Sequence, residues 1–404
     1  MIVGANASGK SNIRDAFRFL HGVGRGYSLA EIAGGKHEAG WKPIRGATNE
    51  IVRFEAGKGT SESDRFSLEV AMKPGPHALA HLMLGGDARY RIDVRLEGSG
   101  GGRLTVADEA LWVDSEEIFS ADIIDQPGNL LDRSKPALWH VPHLPREAGI
   151  PYHQLADVLA LQEQQSRRSN SASEVVRQLG WMRFFDFKPD LMREPATPGQ
   201  TTLGDGGEYL PVVLKEICAD PERKSILTSW LRELTPMDVV DFEFPSDPSG
   251  RIHLVICEAN DARVSANSAS DGTLRFLAML VALLGKDFNY VCFLEEIENG
   301  LHPSRLHLLI DLIERATADG SKQVIATTHS PQLLSLVNES SFESAAVVCR
   351  MEDTNEAIIR RIADIPNAKK LRKTQGLGRL LVGNWMETAL AFTENNGDDE
   401  ERSE

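Results

Sequence analysis

Residues 1–22 read MIVGANASGKSNIRDAFRFLHG, and within them Gly4-Ala5-Asn6-Ala7-Ser8-Gly9-Lys10-Ser11 fits the pattern GxxxxGK[ST]. Ile2 and Val3 form the stub of an apolar strand. Ile13, Ala16, Phe17 and Leu20 then recur at helical spacing, so the pattern sits between a strand and an amphipathic helix. Small residues let a backbone wrap a phosphate with its N–H groups, and the following helix points the positive end of its dipole at the same place. Lys10 supplies a point charge to the β- and γ-phosphates, Ser11 offers a hydroxyl to Mg²⁺, and Asn12 completes the run. Chance produces the bare pattern in roughly one to a few per cent of chains this size. The helix behind it makes accident a poor explanation.

Three further segments extend the reading. Val291-Cys292-Phe293-Leu294-Glu295-Glu296 describes a buried strand ending in two carboxylates, at the sheet edge where ligands of open α/β sheets bind. Glu295 would hold the Mg²⁺ hydration shell and Glu296 would polarise an attacking water. Taken alone, a Glu-Glu pair is more often a solvated turn. Thr327-Thr328-His329-Ser330 follows apolar Val324-Ile325-Ala326, about 30 residues after the carboxylates. A histidine there can bond a γ-phosphate oxygen, although an isolated one is more often structural. Ser270-Asp271-Gly272-Thr273 precedes a helix and reads both as an N-cap and as an anion site; the two readings are compatible.

Around these motifs the pattern alternates. Residues 66–72, 90–96 and 103–107 read as antiparallel strands, with Gly98 to Gly102 as a hairpin loop and DEALWV from Asp108 extending the sheet. Prolines 127, 136, 142 and 145 mark a loop-rich stretch. Residues 153–181 and 208–233 are helical, with no sustained heptad. Strands return at 239–244, 252–258, 290–294 and 323–328, interleaved with helices at 273–285 and 303–316. Two short strands near 345–350 and 357–362 close the sheet. Continuously apolar strands alternating with helices predict a parallel sheet covered on both faces. The expected layout is an N-terminal lobe (1–120), a helical insertion (121–235), a C-terminal lobe (236–390) and an acidic, disordered tail (391–404).

The net charge of −15 weakens long-range attraction to nucleic acid or anionic membranes, though a local basic groove remains compatible with it. Cys218, Cys257, Cys292 and Cys349 are scattered, with no CxxC pair or metal spacing. Cys292 and Cys349 lie in apolar runs as core residues. No run reaches the roughly 18–20 apolar residues that span a bilayer, and no signal peptide opens the chain. A reduced, cytoplasmic protein is the expectation.

In this order the four segments resemble the ABC-type ATPases, and more narrowly the branch containing SMC, RecF and the overcoming-lysogenization-defect (OLD) proteins. Ser270-Asp271-Gly272-Thr273 stands where that branch has a Leu-Ser-Gly-Gly-Gln-like signature. Its Glu-Glu-Pro-Glu-Asn-Gly-Leu-His-Pro run is matched by Glu295 to Pro303, with Ile297 in place of Pro. Glu298, Asn299 and Gly300 match the D-loop, which signals across a dimer, and Thr328-His329-Ser330-Pro331 matches the switch-histidine segment. Gly204 to Leu210 and Gly376 to Trp385 are similar to stand-alone bacterial members. Two departures stand out. The family has two strands before the P-loop, whereas this chain starts three residues ahead of it, and the Q-loop glutamine is either Gln126 or Gln162.

The resemblance implies an α/β P-loop NTPase head of ABC type, with a mainly parallel core sheet, an antiparallel β subdomain and a helical insertion. It further implies ATP and Mg²⁺ as ligands and a homodimer sandwiching ATP. The P-loop, Glu295, Glu296 and His329 of one subunit would face Ser270 and Gly272 of the other. Stand-alone relatives often serve bacterial anti-phage defence beside a nuclease or other effector, which here would be a separate protein. The alternatives are a RecF-like DNA repair or chromosome-maintenance ATPase, or a non-catalytic scaffold using ATP as dimer glue. The intact Glu296 argues against the scaffold, and the SMC-type signature argues against a transporter ATPase. A DNA surface would draw on Arg167, Arg168, Lys369, Lys370, Arg372 and Lys373, whose blander reading is solvated helix faces.

Overall fold

The structure is a computed structural model describing residues 1–5, 8–35, 41–46, 51, 64–73, 86–98, 102–120, 133–139, 155–285, 291–351 and 357–390. In chain order the strands are β1 (Ile2–Val3), β2 (Arg65–Met72), β3 (Ala88–Glu97), β4 (Arg103–Val113), β5 (Glu116–Ser120), β6 (Arg183–Phe185) and β7 (Val239–Glu243). They continue as β8 (Val255–Glu258), β9 (Arg263–Ser265), β10 (Val291–Leu294), β11 (Gln323–Thr328), β12 (Ala346–Arg350) and β13 (Ala357–Arg361). The chain divides into two compact units, Met1–Ser11 with Arg183–Glu404, and Asn12–Met182.

The first unit is built on a six-stranded sheet of order β13-β12-β1-β11-β10-β6. β12, β1, β11, β10 and β6 run parallel, and β13 returns antiparallel on β12. The apolar run of β10 requires cover on both faces, and much of it comes from two helices. Asp271–Leu284 buries ten side chains from Thr273 to Leu283. Leu306–Thr317 turns Leu306, Leu309, Ile310 and Leu312 inward. These pack in one core with Cys292, Leu294 and Ala326. A second core joins Val3, Val347 and Cys349 to Phe342, Leu377 and Leu380. Antiparallel β7-β8-β9 forms a separate three-stranded sheet.

β6 was not expected. Residues 121–235 read as helical, and helices Leu155–Gly180, Leu210–Cys218 and Pro221–Leu234 do occupy that stretch. Between them Arg183–Phe185 pairs in parallel with β10 at the edge of the core sheet. Three residues, Arg-Phe-Phe, carry too little periodicity to announce a strand. Its pairing partner, more than a hundred residues away, defines it.

The second unit carries an antiparallel sheet of order β2-β3-β4-β5. Tyr90, Ile92 and Val94 alternate inward on β3. On β4 the inward set changes parity, from Leu104 and Val106 to Glu109, Leu111 and Val113. A register shift opposite Asp93 and Val94 skips Ala107, and one extra residue reverses every later side chain. Glu109 is thereby driven inside. Its carboxylate accepts from the Tyr90 hydroxyl (2.8 Å) and from the Ala137 and Leu138 N–H groups (2.6 and 2.9 Å). Burial lifts its pKa to about 7 despite these donors.

No helix among the described residues is long and apolar enough to cross a membrane. All four cysteines are free, and Cys292 and Cys349 are buried. Asn6, Ala7, Gln126 and the acidic tail lie outside the described residues.

Candidate functional site

The register of the parallel strands gathers the site. Val3 pairs with Thr328 across β1 and β11, and Leu294 pairs with Ala326 across β10 and β11. Gly4, His329, and Glu295 with Glu296 therefore leave the sheet at one C-terminal edge, from three neighbouring strands. That edge is where parallel sheets bind ligands.

At the first of these strands, a Cβ on Gly4 would stand 2.4 Å from the Val348 carbonyl oxygen and 2.6 Å from Ser8 Oγ. Gly9 adopts φ +110°, and a Cβ there would meet Ala357 Cβ at 2.6 Å. Only glycine fits either position. The Ser8 N–H donates to the Ala5 carbonyl at 3.3 Å. Ser8 Oγ is buried with no hydrogen-bond partner among the described residues. Lys10, the first residue of helix Lys10–Gly24, turns its ammonium back to the Gly4 and Ala5 carbonyls at 2.5 and 2.6 Å. Burial lowers its pKa, while the carboxylates of Glu296 and Glu298 work in the opposite direction. Ser11 is the second helical residue, and Asn12 opens the second unit.

After β10, the Glu295 N–H approaches the Phe185 carbonyl at 3.5 Å. Glu296 takes a left-handed backbone, φ 45°. Its N–H donates to Thr327 Oγ1 (3.1 Å), and its carboxylate accepts from Asn299 Nδ2 (2.5 Å). Glu298 crosses to the third strand end. Its Oε1 accepts from Thr328 Oγ1 (2.8 Å) and the His329 N–H (3.1 Å), and lies 3.5 Å from His329 Nδ1. The Glu298–Gly300 run and the Thr328–Pro331 segment are thus joined within one chain.

At the signature segment Ser270 is an N-cap, accepting from the Thr273 N–H at 3.1 Å. Asp271, Gly272 and Thr273 form the first turn of helix Asp271–Leu284. Gly272 packs on Gly300 backbone to backbone: a Cβ on Gly272 would stand 2.2 Å from the Gly300 carbonyl oxygen. Gly300 itself has φ +84°. The sequence showed both glycines as motif members but gave no sign that they touch.

The glycine cradle, the orphaned Ser8 hydroxyl and the hard oxygen donors of Ser11 and Glu295 fit a nucleotide with Mg²⁺. Among the candidate DNA-contacting residues, Arg167 pairs with Glu116 (3.6 Å), Lys369 with Glu343 (2.8 Å) and Arg372 with Glu339. Hydrogen bonding to Glu343 raises the pKa of Lys369. Lys370 and Lys373 lie exposed on helix Ala368–Gln375. Gln162 lies within helix Leu155–Gly180.

A glycine-only loop one strand from a histidine and two strands from paired carboxylates is the arrangement of a P-loop ATPase. The chain belongs to the family described as "AAA domain, putative AbiEii toxin, Type IV TA system", which matches residues 1–94 and 226–335. Members of this family are typically ATPases. Among solved structures the chain is similar to an SMC head bound to the C-winged helix domain of ScpA, at 12% identity over 91% of each chain (TM-score 0.42). It is also similar to the SMC head domain from Thermotoga maritima, at 12% identity over 89% of each chain (TM-score 0.37). A third similar structure is the Smc head with an extended coiled coil bound to the C-terminal domain of ScpA, derived from Pyrococcus furiosus. It shares 13% identity over 92% of each chain (TM-score 0.38). No curated protein matches the chain.

Proposed function

We propose that this chain binds ATP with Mg²⁺ at the edge formed by β1, β11 and β10, and hydrolyses it in a site completed by a second copy. The observation that carries the reading is the convergence of Gly4, Lys10, Glu295, Glu296 and His329 on one sheet edge. Lys10 would exchange its two loop carbonyls for the β- and γ-phosphates. Ser11 and Glu295 would hold Mg²⁺, which when bound neutralises charge on the phosphates. Glu296, held by Thr327 and Asn299, would polarise the attacking water. His329, tied to Glu298, would contact the γ-phosphate. Ser270 and Gly272 of the second copy would close the site through backbone N–H groups, so that ATP favours the closed dimer.

Glu296→Gln should lower turnover by about 10²–10⁴-fold, the usual contribution of general-base catalysis, while ATP binding persists and the dimer stays closed. Phosphate release and light-scattering mass, measured side by side, test this. Turnover at the parent rate would overturn the assignment of the carboxylates. Ser270→Arg tests the composite site, because the loop on its own chain is untouched; normal hydrolysis by that variant overturns dimeric completion.

The biological role we propose is the ATPase and sensor of a bacterial anti-phage system, acting with a separate effector such as a nuclease. Support comes from the family's name, which refers to a toxin of a type IV TA system. A DNA-maintenance role draws less support, because Arg167, Lys369 and Arg372 pair with glutamates. Plaque counts on cells carrying the gene with its native neighbours test the role. Protection lost on Glu296→Gln is expected, and unchanged plaque counts with the parent would overturn it.

A further inference from the structure

Arg193 belongs to none of the sequence motifs, yet it holds the signature segment from outside. It ends helix Pro189–Arg193. Its Nη2 donates to the Ala269 carbonyl at 3.1 Å and to the Asp271 carboxylate at 2.6 Å, and its Nη1 donates to Asp190 at 3.2 Å. The two Nη2 acceptors bracket Ser270. The Arg193 side chain is 22% exposed, whereas that of Asp271 is 66% exposed.

Asp271 poses a problem for an anion site. A carboxylate in a helix's first turn suits the helix dipole, so it stabilises the helix on its own. The same charge beside a triphosphate repels it, and like-charge juxtaposition at an interface is costly. A guanidinium already bonded to that carboxylate offsets its charge, while its Nη1 bonds the 98% exposed Asp190. The Ser270 hydroxyl stays engaged with Thr273 as the helix cap, so the segment keeps its shape. A lysine could supply the charge but not the fork that takes a carbonyl and a carboxylate together.

We propose that Arg193 is a positioning residue of the composite nucleotide site. It fixes residues 269–271 and offsets the Asp271 charge, so that the signature end of one copy can receive the polyphosphate bound to another. The inference rests on the composite-site reading above.

Arg193→Ala should lower ATP turnover by about 10²-fold, the scale of an ångström-level misplacement, with affinity of the free chain for a fluorescent ATP analogue near the parent's. Adding Asp271→Asn to Arg193→Ala removes the uncompensated charge and should recover about tenfold of that loss. Arg193→Lys should retain more turnover than Arg193→Ala, and it serves as the charge test should the alanine variant melt early. Parent-level turnover in Arg193→Ala overturns the proposal. Failure of Asp271→Asn to rescue it overturns the charge-offsetting role. Ser270→Arg separates the two layers. If that variant is inactive while Arg193→Ala is normal, the role of Arg193 fails alone; if Ser270→Arg is active, the composite-site reading fails.

Discussion

Replacing Gly272 by alanine tests whether the signature helix and the D-loop are set against each other by backbone contact. The added Cβ would stand 2.2 Å from the Gly300 carbonyl oxygen, 3.1 Å from its carbonyl carbon and 3.4 Å from its Cα. A close carbon–oxygen contact runs at about 3.3–3.6 Å. The two segments must therefore part by about 1 Å. Every atom in the way is backbone, so no side chain can rotate to relieve the clash. Overpacking of this kind costs about 1–3 kcal/mol. The larger effect falls on catalysis, because a 1 Å misplacement can cost about 10²-fold in rate. Gly272→Ala should thus show a modestly lowered melting temperature and turnover reduced by about 10²-fold, with nucleotide affinity of the free chain unchanged. The assays are phosphate release, titration with a fluorescent ATP analogue, and thermal melting. Gly300→Ala should be at least as unstable, since its Cβ would lie 2.8 Å from Gly272 Cα and φ +84° adds about 1–2 kcal/mol for an L residue. Parent-level turnover in Gly272→Ala would refute the idea that this contact sets the site.

Lys10→Ala should weaken ATP binding by roughly 10- to 150-fold, the worth of about 1.5–3 kcal/mol in lost charge-assisted bonds, and equal affinity in a titration would remove the loop from the site. Glu298→Ala leaves the Thr328 hydroxyl and the His329 N–H without their acceptor; kcat should fall about tenfold or more while affinity holds, and an unchanged kcat would detach Glu298 from the histidine. Glu109 should make stability fall with rising pH, because its folded pKa, about 7, lies above its ordinary 4.5. Its contribution is complete below about pH 4.5 and is lost as pH rises through about 7, on the order of 3 kcal/mol in all. In Glu109→Gln that slope should vanish, so urea midpoints of parent and variant at pH 5 and pH 8 should not run parallel; parallel profiles would refute the reading.

What was legible in the sequence is what local chemistry determines. β10 stood out as an unbroken apolar run and β11 by its apolar Val324-Ile325-Ala326, and the loop at Gly4–Ser11 stood out because it fits GxxxxGK[ST]. Alternation likewise revealed β3 and β4. The rest depended on contacts distant in the chain. β6 is three residues long and is defined by its pairing with β10. The burial of Glu109 follows from a skipped residue at Ala107, which no alternation rule anticipates. Arg193 reaches acceptors 76 and 78 positions away.

Ile297 shows the boundary most clearly. The sequence marks it as a departure, since the related run has proline there. In the fold Ile297 is buried, and its N–H donates to the Thr327 carbonyl at 3.4 Å. Proline has no N–H to give, and it would also push residue 296 toward extended backbone. Glu296 instead adopts φ 45°, a conformation that costs about 1–2 kcal/mol for a residue with a Cβ. That strain is sustained by two bonds to Thr327, one from each of residues 296 and 297. Thr327 precedes the switch-histidine segment by one residue, so the carboxylate and the histidine are fixed against each other through a backbone turn that a proline would forbid. Isoleucine in place of proline thus supplies the N–H that this turn uses to hold the edge together.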